Sequence, residues 1–505
     1  MLCKERERYA MKKIARLLGL ACAATLVMGF AAGCKPGEGG TGSEGTGGGD
    51  GEPVTLTLAS WEVNALKAPW MEKFTEKHPN IKVELAEEGK WLGTEDLAQL
   101  AAADKMPDII NVENVYTPVK NEWLIDLKPY YEQDENQAIY ENFIQFGSIG
   151  DKLYVLPSNV FLHGVKVNLT LLEDLNIEKP GYDWTIDDFM DIMEAASVKG
   201  ESIGANNIIW LMKHLPAQMN DDFGWAAYNY STQKYTLGEE WIETVNLMKE
   251  IVDRDYVIWE NIDAIGLPAN FEEGSAEQTE VIEKRNDYLM QTVGTTENPW
   301  ALGRVAFQED FSWTLRFDKT DPAYTGFEWD YYPFPSSGEG DVSRPGLSVD
   351  YYGITTSCEH PEEAWELIRY MSYDLEGYRD KVDIINSYDK QATAEKYPDI
   401  AADLPDAIES LSLLPISDPE AVELWKSMDV GYKPGIDYML DNFDRGYVDC
   451  WRIVPEYNNT WENLVTNQVT QNILYTGSQT AADIAQNLQD TINATTETAW
   501  KDITG

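Results

Sequence analysis

The side chains able to do chemistry are unevenly stocked in this chain. Four histidines are present, and there is no CxxC, HExxH or EF-hand loop, so a metal centre or a hydrolytic triad has little raw material. No cofactor motif and no metal site are read. The 87 acidic residues could supply the paired carboxylates of glycoside cleavage, but no pair stands out by spacing. Rings are abundant, with 27 Tyr and 17 Trp. That stock suits stacking on sugar faces, although most rings must serve as core or surface. Two short clusters set acids and amides beside rings: Trp61, Glu62 and Asn64 in "SWEVN", and Glu113 and Asn114 in "VENVY".

The pattern around these clusters says what positions them. "VTLTLA" alternates and reads as a strand; Leu66, Trp70, Met71 and Phe74 then share a helical face that ends at His78-Pro79. "IKVEL" is a second strand, Thr94 starts a helix with Leu97 and Leu100 inward, and "DIINV" is a third strand. Strand, helix, strand, helix, strand with short joins predicts a parallel α/β sheet. Both clusters follow a strand, where α/β sheets hold ligands beyond the carboxyl ends. Further on, residues 160–167 alternate around Gly164. Thr185 and Asp188 form a capping box ahead of the stripe Phe189, Ile192, Met193 and Ala196. Residues 347–354 read as a strand, residues 361–370 as a helix with proline in its first turn, and Thr480 caps a last helix carrying Ile484, Leu488 and Ile492.

The amino terminus has its own logic. Lys12, Lys13 and Arg16 precede residues 17–32, which are apolar and small. A basic n-region followed by a short apolar stretch is a secretory leader, shorter than the ~20 residues of a membrane span. Met11 is a more natural start than Met1. "AAGC" resembles a bacterial lipobox, with Ala31 where Leu is usual, so Cys34 is expected to become the first mature residue and to carry acyl chains. A plain secretory leader followed by a free thiol is the competing reading. Residues 34–53 are Gly-, Ser-, Thr- and Glu-rich with no apolar residue able to nucleate a fold. Such a coil reaches roughly 25 Å, a tether to a membrane.

The formal net charge of −48 disfavours nucleic acid, which needs Lys and Arg to replace counterions, and a polybasic hold on anionic lipid. Repulsion and solubility outside the cell are its plain use. Some 450 residues beyond the tether are too many for one simple core and imply two domains. Among the cysteines only Cys358 and Cys450 fall in this body, either as one disulfide or as two buried thiols.

Five segments together resemble the extracellular solute-binding proteins of bacterial ABC importers, the group that includes the maltose-binding protein. They are residues 54–85, with "F…HPNIKVE"; "LAAADKMPDIINVEN", with Lys105 where Gly is common; residues 150–189, with "KLYVLP" and "DWTIDDF"; "LGRVAFQEDFSWTL"; and "GLSVDYYGITTSCEHPEEAWELIRYM". The resemblance implies a two-lobe, type II binding fold, each lobe a mainly parallel sheet flanked by helices, with solute in the cleft between and hinge closure over it. Residues 54–163 with about 347–410 would form lobe 1, and residues 164–346 with about 411–505 lobe 2. Family cleft segments then add Phe161, His163, Trp313, Asp350, Tyr351 and Tyr352 to Trp61, Glu62, Asn64, Glu113 and Asn114 as ligand-binding candidates. Trp225 joins on composition, as does Trp210 more weakly. Stacking falls to Trp61 and Trp313, and hydroxyl acceptance to Glu62, Glu113 and Asp350. Core packing competes for each ring, and capping or surface roles for each carboxylate.

Three functions are weighed. The first is a monomeric lipoprotein on the outer face of the cytoplasmic membrane that hands an oligosaccharide to the transmembrane subunits of a permease. The second is a secreted carbohydrate-active enzyme. The third keeps the fold and takes a peptide, polyamine or metal chelate.

Overall fold

In the computed structural model, residues 53–504 are described apart from 87–91, 136, 138, 140, 259–273, 315–325, 339, 409–413, 418 and 429–432. The leader, Cys34 and residues 35–52 lie outside the described residues. Strand β1 (Val54–Ala59) buries Val54, Leu56 and Leu58 and exposes Thr55, as its alternation predicts. It runs parallel to β2 (Ile81–Leu85) and to β3 (Ile109–Val112), with Leu58 beside both Leu85 and Ile109. The Asp108 carboxylate ties β1 to the start of β3, accepting from the Thr57 N–H and hydroxyl, each at 2.7 Å. Helix α1 (Asn64–Lys77) turns Leu66, Trp70, Met71 and Phe74 inward, and α2 (Thr94–Ala102) buries Leu97. The carboxyl ends of β1 and β3 therefore open at one edge of the sheet, carrying Trp61, Glu62, Glu113 and Asn114 there.

Two long strands carry the sheet onward. β4 (Leu156–Asn168) is longer than the alternation around Gly164 predicts, spanning roughly 40 Å at about 3.3 Å per residue. After it come β5 (Ile203–Ala205), β6 (Val305–Phe311), β7 (Trp329–Tyr332), β8 (Gly346–Ile354) and β9 (Tyr447–Val448). β4 and β8 are antiparallel, from Gly346 opposite His163 to Tyr352 opposite Leu156, with a bulge between Asp350 and Tyr351. The order β2-β1-β3-β8-β4-β6-β5, with β7 on β4 and β9 on β8, makes a mixed sheet, nine-stranded among the described residues. β3 pairs with residues 351–354 of β8, whereas β6 and β7 pair with residues 163–168 of β4. The two long strands thus link one group of strands, β1–β3, to another, β5–β7. Both are buried almost throughout because each face is covered, which mutes alternation. Gly164 is required here: a Cβ would lie 2.6 Å from the Tyr332 carbonyl oxygen and 2.9 Å from the Tyr331 ring.

The helices follow the caps read from sequence. α3 (Ile186–Ala196) starts at Thr185, whose hydroxyl accepts from the Asp188 N–H while Asp188 accepts from the Thr185 N–H, and it buries Phe189, Ile192, Met193 and Ala196. α4 (Leu211–Met219), α5 (Glu239–Asp253), α6 (Pro361–Met371) and α7 (Leu375–Asn386) pack around the sheet. The last helix, α8 (Ala481–Thr504), is capped by Thr480 with Asp483 and buries Ile484, Leu488 and Ile492. Cys358 and Cys450 are free thiols, the second donating to the Trp225 carbonyl at 3.2 Å. Among the described residues no helix is long and apolar enough to cross a membrane.

Candidate functional site

The long strands place side chains in rows, because alternate residues of a strand share a face. Asn159, Phe161 and His163 form one row on β4. Gly346, Ser348 and Asp350 lie opposite them on β8, His163 to Gly346, Phe161 to Ser348 and Asn159 to Asp350. Six residues from distant parts of the chain thereby make one patch of sheet surface. Gly346 leaves room for what lies above it, since a Cβ there would meet the His214 ring at 3.0 Å and the His163 Cβ at 3.4 Å.

At the Asp350 end a buried polar cluster gathers. Trp61 Nε1 donates to Asp350 Oδ2 at 3.0 Å, and Arg452 Nη2 lies 2.7 Å from Asp350 Oδ1. Arg452 Nη1 donates to the Glu113 carbonyl at 2.9 Å. Asn159 Nδ2 donates to Glu62 Oε1 at 2.9 Å, and Lys381 of α7 donates to Asn159 Oδ1 at 3.1 Å and lies 3.4 Å from Glu62. Toward His163, Ser348 Oγ donates to Asp449 Oδ2 at 2.6 Å and meets His163 Nε2 at 2.8 Å. Burial pushes Asp350 and Glu113 above the usual carboxylate range, with the Arg452 charge opposing in both. Asp449 is pushed up to about 7 by burial, again against Arg452. The imidazoles of His163 and His214 are driven well below their ordinary value by burial, which keeps both neutral.

At the His163 end a cleft of about 330 Å³ opens. His163, Trp210, Trp225, Phe311, Trp313, Trp451 and Tyr457 supply its rings, and Lys213, Glu309 and Glu462 are among its polar groups. Phe311 and Trp313 stack with centroids 4.1 Å apart and planes 3° from parallel; Phe161 meets Trp313 edge-on at 5.2 Å. His163 stands edge-on to Phe311 at 4.2 Å and to Trp225 at 4.7 Å. Trp225 Nε1 donates to the Tyr457 hydroxyl at 2.9 Å, which donates to Glu462 at 3.0 Å; Lys213 pairs with Glu462 at 2.7 Å. Burial pushes Glu309 up to about 7, with Lys213 opposing.

The residues expected from sequence fall into three places. His163, Trp210, Trp225 and Trp313 line the cleft, with Phe161 against Trp313. Trp61, Glu62 and Asp350 belong to the polar cluster beside it, and Glu113 reaches that cluster through its backbone carbonyl. The remaining four lie apart from the cleft lining. Asn114 accepts from the Thr117 N–H at 2.9 Å as a turn cap, Asn64 opens α1, and Tyr351 and Tyr352 are wholly buried, the latter bonded to Ser60. Sequence reasoning did not find Phe311, Lys213, Glu309, Trp451, Tyr457, Glu462, Asp449 or Arg452. Phe311 and Glu309 had a signal, since both lie in the same short segment as Trp313 and alternate on one face of β6; the others come from segments with no cleft pattern of their own.

The chain belongs to the bacterial extracellular solute-binding proteins, whose family model matches residues 59–372. The fold agrees with solved structures of low sequence identity. One is an ABC substrate-binding protein from Listeria monocytogenes in complex with cycloalternan, 16% identical, TM-score 0.58, covering 88% of this chain and 99% of that one. A sugar transporter protein from Rhizobium etli in an open conformation is 14% identical, TM-score 0.60, over 87% and 99%. The sugar-binding protein MalE from the phytopathogen Xanthomonas citri is 16% identical, TM-score 0.56, over 87% and 97%. The fold is thus the two-lobe, type II solute-binding fold.

Proposed function

We propose that this protein captures a carbohydrate, an oligosaccharide in particular, and delivers it unchanged to the transmembrane subunits of an ABC importer. The observation that carries this reading is the cleft wall of rings, with Trp313 held flat on Phe311 and acids and amides close by. Rings cover the apolar faces of a sugar, and planar polar groups take its hydroxyls. The structural relatives named above include a sugar-binding protein and a sugar transporter protein, which supports the same class of guest. Residues 54–163 with about 347–410 act as one lobe and residues 164–346 with about 411–505 as the other. The long strands β4 and β8 serve as the hinge. α8 packs on α5 of the second lobe and equally on residues 116–120 of the first.

The test is a thermal-shift screen over plant and bacterial oligosaccharides, run beside peptides and polyamines, followed by product analysis of each hit. A ligand that binds only the folded chain raises its midpoint, by about 2.7 kcal/mol of stabilisation at a hundredfold excess over Kd. The expected result is a saturable shift with the sugar recovered intact. Cleaved sugar would make the protein an enzyme, and shifts confined to peptides or polyamines would change the guest.

The tether completes the reading: Cys34 holds the body to the outer face of the cytoplasmic membrane. Cys34→Ser is expected to move the protein from the membrane fraction to the medium, measured by fractionation of the producing cells. A variant that stays with the membrane would refute the anchor.

A further inference from the structure

His163 and Glu309 share one face of the β4–β6 ladder. Glu309 lies opposite Val165 and Phe311 opposite His163, so His163 and Glu309 are diagonal neighbours. His214 of α4 lies over the same face, its ring centroid 5.6 Å from that of His163. One donor atom from each of His163, His214 and Glu309 falls within 4.8 Å of the other two.

Each imidazole has one nitrogen engaged by a hydroxyl. Ser348 gives its hydroxyl proton to Asp449 at 2.6 Å, so at His163 Nε2, 2.8 Å away, it acts as acceptor. With Asp449 ionised, that puts the proton on Nε2 and leaves a bare lone pair on His163 Nδ1. On His214, Nδ1 faces the Tyr447 hydroxyl at 2.9 Å, which donates or accepts as its proton rotates. His163 Nδ1 and His214 Nε2 have no hydrogen-bond partner among the described residues, although the two side chains are 2% and 0% exposed. Buried imidazole nitrogens are costly to leave unserved. An imidazole with one nitrogen held by an outer partner and the other turned to a second imidazole and a carboxylate has the layout of a metal ligand.

We propose that His163, His214 and Glu309 form a three-donor site for one borderline divalent transition ion, zinc foremost. Two nitrogens and one carboxylate oxygen suit such an ion and leave its fourth position open. At Zn–N distances of about 2.0–2.1 Å, tetrahedral donors lie about 3.4 Å apart, so binding draws the three groups together by about 1 Å. His163 and Glu309 line the cleft and supply the way in. Lys213, the nearby cation, is paired with Glu462 at 2.7 Å, which blunts its repulsion of an ion. The site does not depend on whether the cleft takes a carbohydrate.

The experiment uses the full chain without a histidine tag, stripped with a chelator and returned to metal-free buffer. Zn²⁺ alone is titrated by calorimetry, and Co²⁺ by visible absorption. The expected result is one equivalent bound per chain, with the intense visible bands of a four-coordinate Co²⁺ site. Glu309→Gln, which keeps volume, and His214→Gln are each expected to weaken binding at least tenfold. If His214→Gln fails to fold by circular dichroism, Glu309→Gln decides alone. Weak uptake of several equivalents that Glu309→Gln leaves unchanged is the behaviour of surface carboxylates. That outcome, or no uptake, overturns the site and assigns the facing nitrogens to buried water.

Discussion

Arg452→Met is expected to lose roughly 3–5 kcal/mol of folding stability near pH 7.5 and to regain much of it on acidification, read by chemical denaturation from pH 4.5 to 8. Arg452 is buried, 2.7 Å from the Asp350 carboxylate, and donates to the Glu113 carbonyl. Its charge also restrains Asp449, whose carboxyl burial has pushed up to about 7. Methionine fills much of the same volume, strands Asp449 without a counter-charge and leaves Asp350 only the weaker pull of Lys381. The direction with pH follows from proton binding. A carboxyl whose folded pKa lies above its unfolded value holds protons more tightly in the folded state. Its contribution to stability is full below the unfolded value near pH 4 and is lost as pH rises through the folded value. For Asp449 that window runs from about 4 to about 7, and loss of Arg452 extends it upward. Adding Asp350→Asn to Arg452→Met removes one buried charge and should restore a large part of the loss at pH 7.5. A deficit equal at every pH, or none, would show that Arg452 does not neutralise this cluster.

The same cluster marks the boundary of what the amino-acid order discloses. Local periodicity placed β1, α1, β2, β3 and the capped helices α3 and α8, because each is specified by neighbours within four residues. Alternation around Gly164 and over residues 347–354 found the cores of β4 and β8, but not the full length of β4. Covered on both faces, the ends of that strand lose the alternation that would mark them. Tyr351 and Tyr352 beside Asp350 show a second limit. Successive residues point to opposite faces, and the bulge at Asp350/Tyr351 shifts the phase, so one acid reaches the cluster while the two rings enter the core. The partners of Asp350, Ser348 and Trp225 are Arg452, Asp449 and Tyr457, each about a hundred residues or more away, from a region with no motif. Nothing local encodes such pairings; they exist only once β9 lies on β8. The His163–His214–Glu309 group was likewise invisible, since its spacing matches no ligand motif and its members meet only across α4 and the β4–β6 ladder.

Trp313→Ala is expected to weaken binding of an oligosaccharide that stabilises the wild-type chain by about thirtyfold, while Trp313→Phe weakens it only a few-fold. The ring is half-buried in the turn after β6, lies flat on Phe311 at 4.1 Å and takes the edge of Phe161 at 5.2 Å. Neighbours on two sides fix its plane before any guest arrives, so little side-chain freedom remains to be lost on binding. A rigid, partly desolvated Trp in a cleft is the kind of anchor whose truncation costs about 2 kcal/mol, and 1.4 kcal/mol is a factor of ten. Phenylalanine keeps a stacking face of smaller area. Calorimetry on the best sugar from the thermal-shift screen measures both variants, with melting curves to establish that each is folded. If no sugar binds the wild type, the carbohydrate reading fails and Trp313 goes untried by this route. If a sugar binds and Trp313→Ala leaves its Kd unchanged, the cleft takes carbohydrate but the Phe311–Trp313 stack belongs to the wall, and the guest lies against Trp225 or Trp451 instead.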